Sequence, residues 1–144
     1  MRLPFFVYGT LLAGEPNHGA FLHGRTASEE PGRLNDAVLY DGPGYPYAVE
    51  EFGGIVHGEV VTARPQDYDE LLVALDHLEE YVPGDPHSLY ERVERDVVRV
   101  GDGTAVRAWV YLAAPAVAAC LRARGKPIES GDWRLRRRLR PRFR

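Results

Sequence analysis

Two short stretches carry residue types able to do chemistry. DHLEE, residues 76–80, places Asp76, Glu79 and Glu80 within five positions, and FFVYGTLLAG, residues 5–14, runs an apolar segment into Gly9 and Thr10. A carboxylate becomes a useful proton carrier near neutral pH when desolvation lifts its pKa. A strand that ends in a glycine loop can offer consecutive backbone N–H groups to an anion or to a developing oxyanion. The element that must aim the first is a helix. The element that must hold the second is a strand.

The helix is read over Pro65–Glu80, with Pro65 at a start position that tolerates proline. With successive residues placed roughly 100° apart, Tyr68, Leu71, Leu72, Leu75 and Leu78 fall within one apolar arc roughly 120° wide. Glu79 falls inside that arc, Asp76 at its border, and Glu80 well outside. A carboxylate on an apolar face costs free energy unless it has a partner or a cavity. Three readings follow: a catalytic carboxylate, a frayed last turn that releases Glu79 to solvent, or a buried ion pair with Arg92.

The strand Phe5–Tyr8 breaks at Gly9, where glycine permits close backbone approach or a positive φ. No Gly-Lys-Ser/Thr follows Gly9 or Gly14, which excludes a Walker loop. GTLLAG has the wrong spacing for a dinucleotide fingerprint, and no strand–helix–strand unit surrounds it. What remains is a plain turn or a ligand-holding loop.

The rest of the chain supplies a scaffold. At 144 residues, with 44% hydrophobic and 27% charged residues, it fits one globular domain. Strands are expected at Ala37–Tyr40, Tyr47–Glu51 and Ile55–Thr62, separated by DGPGYP and FGG. A short helix is expected at Asn17–His23. Tyr90–Val100 and Thr104–Ala113 flank Gly101-Asp-Gly, a strong hairpin signal, and Ala116–Arg124 reads as a closing helix. The fold class is α+β, a small closed or half-closed β-barrel with a few short helices.

Charge is uneven. Residues 131–144, GDWRLRRRLRPRFR, carry seven Arg and one Asp, a balance of +6, so the other 130 residues sum to −9 of the net −3. The division expected is a domain over 1–130 and an Arg-rich tail over 131–144. A basic tail suits nucleic acid, acidic lipid, or the acidic body of its own or a neighbouring chain; the acidic body repels phosphates and favours a solvated or self-docked tail. The apolar runs are too short for a membrane-spanning helix or a secretory signal. Cys120, the single cysteine, cannot form an internal disulfide, and no metal-ligand spacing is present. A cytoplasmic setting is the default, with no metal and no cofactor expected.

Four motifs occur in order: VYGTL with Gly14 and Asn17 behind it, GPGYP at 42–46, the LD-x-LE-x-Y run at 75–81, and LYERV at 89–93. Together they resemble the gamma-glutamylcyclotransferase-like superfamily (AIG2-like, gamma-glutamylamine cyclotransferase-like) over roughly residues 5 to 113. The resemblance implies a small mixed β-barrel flanked by helices. It also implies that Tyr8, Gly9, Thr10 and Leu11 cradle a γ-glutamyl group, and that the motif glutamate, here Glu79, is the general acid/base. The reaction implied is intramolecular aminolysis of a γ-glutamyl compound to 5-oxoproline and free amine, a transferase- or lyase-type step without a cofactor. The family's usual glycine after that glutamate is Glu80 here. The glutathione-specific branch has glycine before the tyrosine and serine after the second glycine. Val7 and Thr10 stand there instead, which favours γ-glutamyl amines, isopeptides or tagged metabolites.

Asn17, Tyr45, Tyr90 and Tyr111 are candidates to line the pocket, with barrel core the alternative for the tyrosines and an N-cap for Asn17. The competing function is a barrel of the same fold that binds a small ligand or partner without turnover. No oligomeric state is expected from the sequence.

Overall fold

The computed structural model describes residues 2–136. Its elements run β1 (Phe5–Val7), α1 (His18–Phe21), β2 (Thr26–Tyr40), β3 (Tyr47–Ala63), a 3-10 turn (Pro65–Asp67), α2 (Tyr68–Leu78), β4 (Tyr90–Arg99), β5 (Ala105–Ala113) and α3 (Pro115–Arg124). The strands close into a barrel in the order β1-β3-β2-β4-β5. β1 is antiparallel to β3 (Phe6 opposite Val60) and parallel to β5 (Phe5 opposite Trp109), so the sheet is mixed. The β4–β5 hairpin lies in the same sheet as Phe5–Val7, as the α+β barrel reading requires.

Side chains alternate along each strand between two apolar layers. Phe6, Tyr8, Val56, Val60, Ala108, Val110 and Leu112 form a cluster with no helical member, which is the barrel interior. Phe5, Val7, Val61, Tyr111 and Ala113 face outward into a second cluster that includes Leu71 and Leu75 of α2 and Ala118 of α3. Period-two alternation thus gives β1, β3 and β5 two buried faces, one inside the barrel and one beneath the helices. Trp133, 2% exposed, joins Ile128 in the interior cluster, and Gly131 accepts a hydrogen bond from the His57 N–H at 2.8 Å. The described part of the Arg-rich segment therefore packs on the barrel, while residues 137–144 lie outside the described residues.

Two departures from the sequence reading have physical causes. Residues 26–36 form the first eleven of the fifteen residues of β2, paired from Thr26 opposite Ala63 to Asn35 opposite Ile55; the polar TASEEPGRLND shows no apolar alternation, and its strand geometry comes from pairing with β3. The expected break at FGG is an irregularity within one long strand. The β2–β3 register shifts between Asn35 and Ala37, and the Gly53 N–H donates to Asp36 Oδ1 at 2.9 Å. Asp36 and Gly53 both take positive φ there, 57° and 88°. No helix among the described residues is long and apolar enough to cross a membrane.

Candidate active site

The opening loop is built by what it must pass. Tyr8 follows β1 with its ring buried; its hydroxyl donates to the Tyr111 carbonyl and accepts from the Ala48 N–H at 3.3 Å. That pins the end of β1 between β3 and β5. A Cβ on Gly9 would lie 2.8 Å from the Pro46 ring, so the glycine serves close approach to the GPGYP turn. Beyond it, the Leu12 N–H closes a turn onto the Gly9 carbonyl at 3.1 Å, and the Asn17 N–H donates to the Thr10 carbonyl at 2.9 Å. Asn17 Nδ2 adds a bond to Thr10 Oγ1 at 2.9 Å and does not cap α1. The amides of Gly9, Thr10 and Leu11 donate to no acceptor among the described residues. Three consecutive free donors form a ready anion site.

Glu79 reaches this loop from the end of α2. The helix closes in a Schellman motif: the Tyr81 N–H bonds the Asp76 carbonyl at 2.9 Å and the Glu80 N–H bonds the His77 carbonyl at 3.1 Å. Glu79 is the C-cap, and Glu80 occupies the left-handed position with φ 53°. That conformation favours glycine, which accounts for the glycine usual there in the family that the sequence resembles. The motif fixes the divergence of the two carboxylates, with Glu79 half-buried and Glu80 exposed.

The inner cavity, about 380 Å³ including its open mouth, is lined by Tyr8, Gly9, Thr10, Leu11, Tyr45, Tyr90, Tyr111 and Glu79, with Phe6, Val7 and Pro46. Asn17 lies outside this lining and borders an adjoining outer lobe, with Pro16, Gly44, Leu78, Glu80 and Leu89. Sequence reasoning missed Pro46, Pro16 and Leu89, although GPGYP and LYERV contain two of them.

Proton bookkeeping singles out Glu79. The hydroxyl of Tyr90 donates to the Pro46 carbonyl at 2.7 Å, that of Tyr111 to Asp76 Oδ1 at 2.6 Å, and that of Tyr8 to the Tyr111 carbonyl. Burial raises all three phenols far above their ordinary value. Neighbouring Tyr47, stacked on Tyr90, is likewise pushed up to about 12, mainly by burial. Arg92 does not pair with Glu79; its Nε–H donates to Asp76 Oδ1 at 2.9 Å, and its guanidinium lies over the Trp109 ring. Glu79 accepts no hydrogen bond among the described residues, and burial pushes its carboxyl up to about 7. A carboxyl without a protein partner among the described residues, raised to about 7, lines the same cavity as Gly9, Thr10 and Leu11, whose amides are unpaired there. The arrangement can pass a proton and hold a negative charge.

Comparison with known proteins agrees with this geometry. A family model described as gamma-glutamyl cyclotransferase, AIG2-like, matches residues 5–135. The chain is 35% identical over 108 residues to the gamma-L-glutamyl-butirosin B gamma-glutamyl cyclotransferase of Niallia circulans, covering 74% of this chain and 64% of that protein. The chain thus spans just under two thirds of that relative's length. It is 39% identical over 97 residues to a putative gamma-glutamylcyclotransferase of Halalkalibacterium halodurans, covering 66% and 76% of the two chains. Among solved structures, an AIG2-like protein from Mus musculus superposes with a TM-score of 0.61 at 28% identity, covering 79% of this chain and 80% of that one. With a mixed five-stranded barrel, its four motifs on one cavity and a family match across nearly all of its length, the chain belongs to the gamma-glutamyl cyclotransferase, AIG2-like, family.

Proposed function

We propose that the protein is a cyclotransferase that converts a γ-glutamyl compound to 5-oxoproline and a free amine, with Glu79 as general acid/base. The observation that carries this reading is the Glu79 carboxyl, raised to about 7 and without a protein partner, on the same cavity as the unpaired amides of Gly9, Thr10 and Leu11. At that pKa both protonation states are populated at neutral pH, which one group needs to act first as base and then as acid.

The steps are as follows. Glu79 takes a proton from the substrate's α-ammonium nitrogen, and the freed lone pair attacks the γ-carbonyl carbon to close a five-membered ring. The loop amides hold the oxyanion or the α-carboxylate. Glu79 returns its proton to the departing nitrogen as the original amide C–N bond breaks. Two protons in all pass from the attacking to the departing nitrogen, leaving 5-oxoproline, an ammonium product and Glu79 in its starting state. Confining the γ-glutamyl chain in a bent attack geometry between Tyr8 and Tyr90 supplies further rate through orientation.

The test is mass-spectrometric measurement of 5-oxoproline release from a panel of γ-glutamyl amines, isopeptides and amino acids. Release that is lost in Glu79→Gln supports the reading. Binding without release from any member would make the protein a non-catalytic barrel.

A further inference from the structure

The inner cavity opens into an outer lobe of about 710 Å³, counted with its open mouth, and the two share Thr10, Tyr45, Glu79 and Tyr90. We propose that this outer lobe receives the leaving group, and that the leaving group is an amine bearing a second positive charge and no carboxylate. The assignment rests on the cyclotransferase reading, because it takes the scissile amide to lie where Glu79 borders both lobes.

The chemistry of the lining carries the argument. Gly9, Thr10 and Leu11, whose amides find no acceptor among the described residues, line the inner lobe, which suits the α-carboxylate end of a γ-glutamyl group. The outer lobe has apolar walls from Pro16, Leu78 and Leu89, suited to methylenes, and aromatic faces from Tyr45 and Tyr90, whose ring centroids are 6.5 Å apart. Its charged residues are Glu79 and Glu80; among the described residues no Lys, Arg or His lines either lobe. Basic groups on the surrounding elements are committed or turned away. Arg92 of β4 is held by Asp76, His18 of α1 bonds Glu29 at 2.8 Å, and His77 of α2 lies on the exposed face with Asp69, Glu70 and Val73.

A leaving amino acid would bring a carboxylate into a lobe with two carboxylates and, among the described residues, no cation to meet it. Like charges brought together beside a low-dielectric protein surface repel, and salt screens such a partly buried pair only in part. An ammonium in the same place meets Glu80 and two aromatic faces, both favourable to a cation. Glu80 takes a strained left-handed backbone where glycine would fit freely, so its side chain stands there at a conformational cost. A role in selecting a cationic leaving group accounts for it.

The test is an isosteric series with a four-carbon leaving chain: γ-glutamyl-1,4-diaminobutane, γ-glutamyl-butylamine and γ-glutamyl-4-aminobutanoate. The expected kcat/KM for 5-oxoproline release falls in that order, with about a hundredfold between the first and last. Glu80→Gln should shrink the ratio of first to last about tenfold, and 1,4-diaminobutane should inhibit the parent protein more strongly than 4-aminobutanoate. Equal or better turnover of the carboxylate compound, or a ratio unchanged in Glu80→Gln, would overturn the charge assignment and leave the cyclotransferase reading standing. No release from these or any γ-glutamyl compound would overturn that reading and this assignment with it.

Discussion

Asp76, and not Glu79, receives Arg92: the Nε–H of Arg92 meets Asp76 Oδ1 at 2.9 Å, on the same oxygen that takes the Tyr111 hydroxyl at 2.6 Å. One carboxylate thus ties the last turn of α2 to β4 and β5, and the next, Glu79, is left without a partner among the described residues. Asp76→Ala should leave a mostly buried guanidinium and a buried phenol without an acceptor, at a cost on the order of 2–4 kcal/mol. Asp76→Asn, whose amide oxygen still accepts, should cost less. Urea unfolding of both variants checks the order; equal losses would show that the negative charge, absent from both, and not the shared acceptor oxygen, matters.

Glu79→Gln keeps the shape of the side chain and removes its titration. Turnover should fall by about 10²–10⁴-fold, with a much smaller change in substrate binding. The parent kcat/KM should rise with pH through a limb near 7, because Glu79 must be ionised to take a proton. That limb should be missing from the residual activity of the variant. A limb that persists in Glu79→Gln would assign the proton transfer to another group.

The same group should make stability depend on pH in a definite direction. Its folded pKa, about 7, lies above the ordinary 4.5, so the folded state binds the proton more tightly than the unfolded chain. The associated stabilisation is fully present below pH 4.5 and is lost as pH rises to 7. The loss amounts to roughly 3 kcal/mol at 1.36 kcal/mol per pKa unit. Glu79→Gln, neutral throughout, should therefore gain on the parent across that window and hold its advantage above it. Stability curves that run parallel from pH 4 to pH 8 would place the Glu79 carboxyl in water.

Glu80 has φ 53° at the position after the helix cap. Glu80→Gly removes the Cβ clash of the left-handed region and should stabilise the fold by about 0.5–1 kcal/mol. Glu80→Ala keeps the Cβ and should bring no such gain. Thermal melts of the two variants decide this, since a gain shared by both would trace to charge and not to backbone.

The direction of Glu79 was legible in the sequence because a helix has a fixed period. Leu71, Leu75 and Leu78 define a stripe, and any residue three or four positions from them shares it. The hairpin around Gly101-Asp-Gly was legible for the same kind of reason, since turn chemistry is local. Residues 26–36 were not, because a polar strand is held by the β3 backbone opposite and carries no signal of its own. Gly9 announced a special backbone site, yet only the Pro46 ring, 37 positions away in the chain, selects close approach over positive φ. Asn17 could cap a helix or hold a loop, and the nearness of Thr10 Oγ1 settled which. Arg92 had Asp76 and Glu79 within the same motif as possible partners. Which carboxylate it takes depends on where β4 and β5 set its guanidinium against the Trp109 ring and the end of α2. Periodicity is a property of one segment and can be read along the chain. The choice of a partner is a competition among groups that only the folded barrel brings together, and here it left Glu79 without one among the described residues.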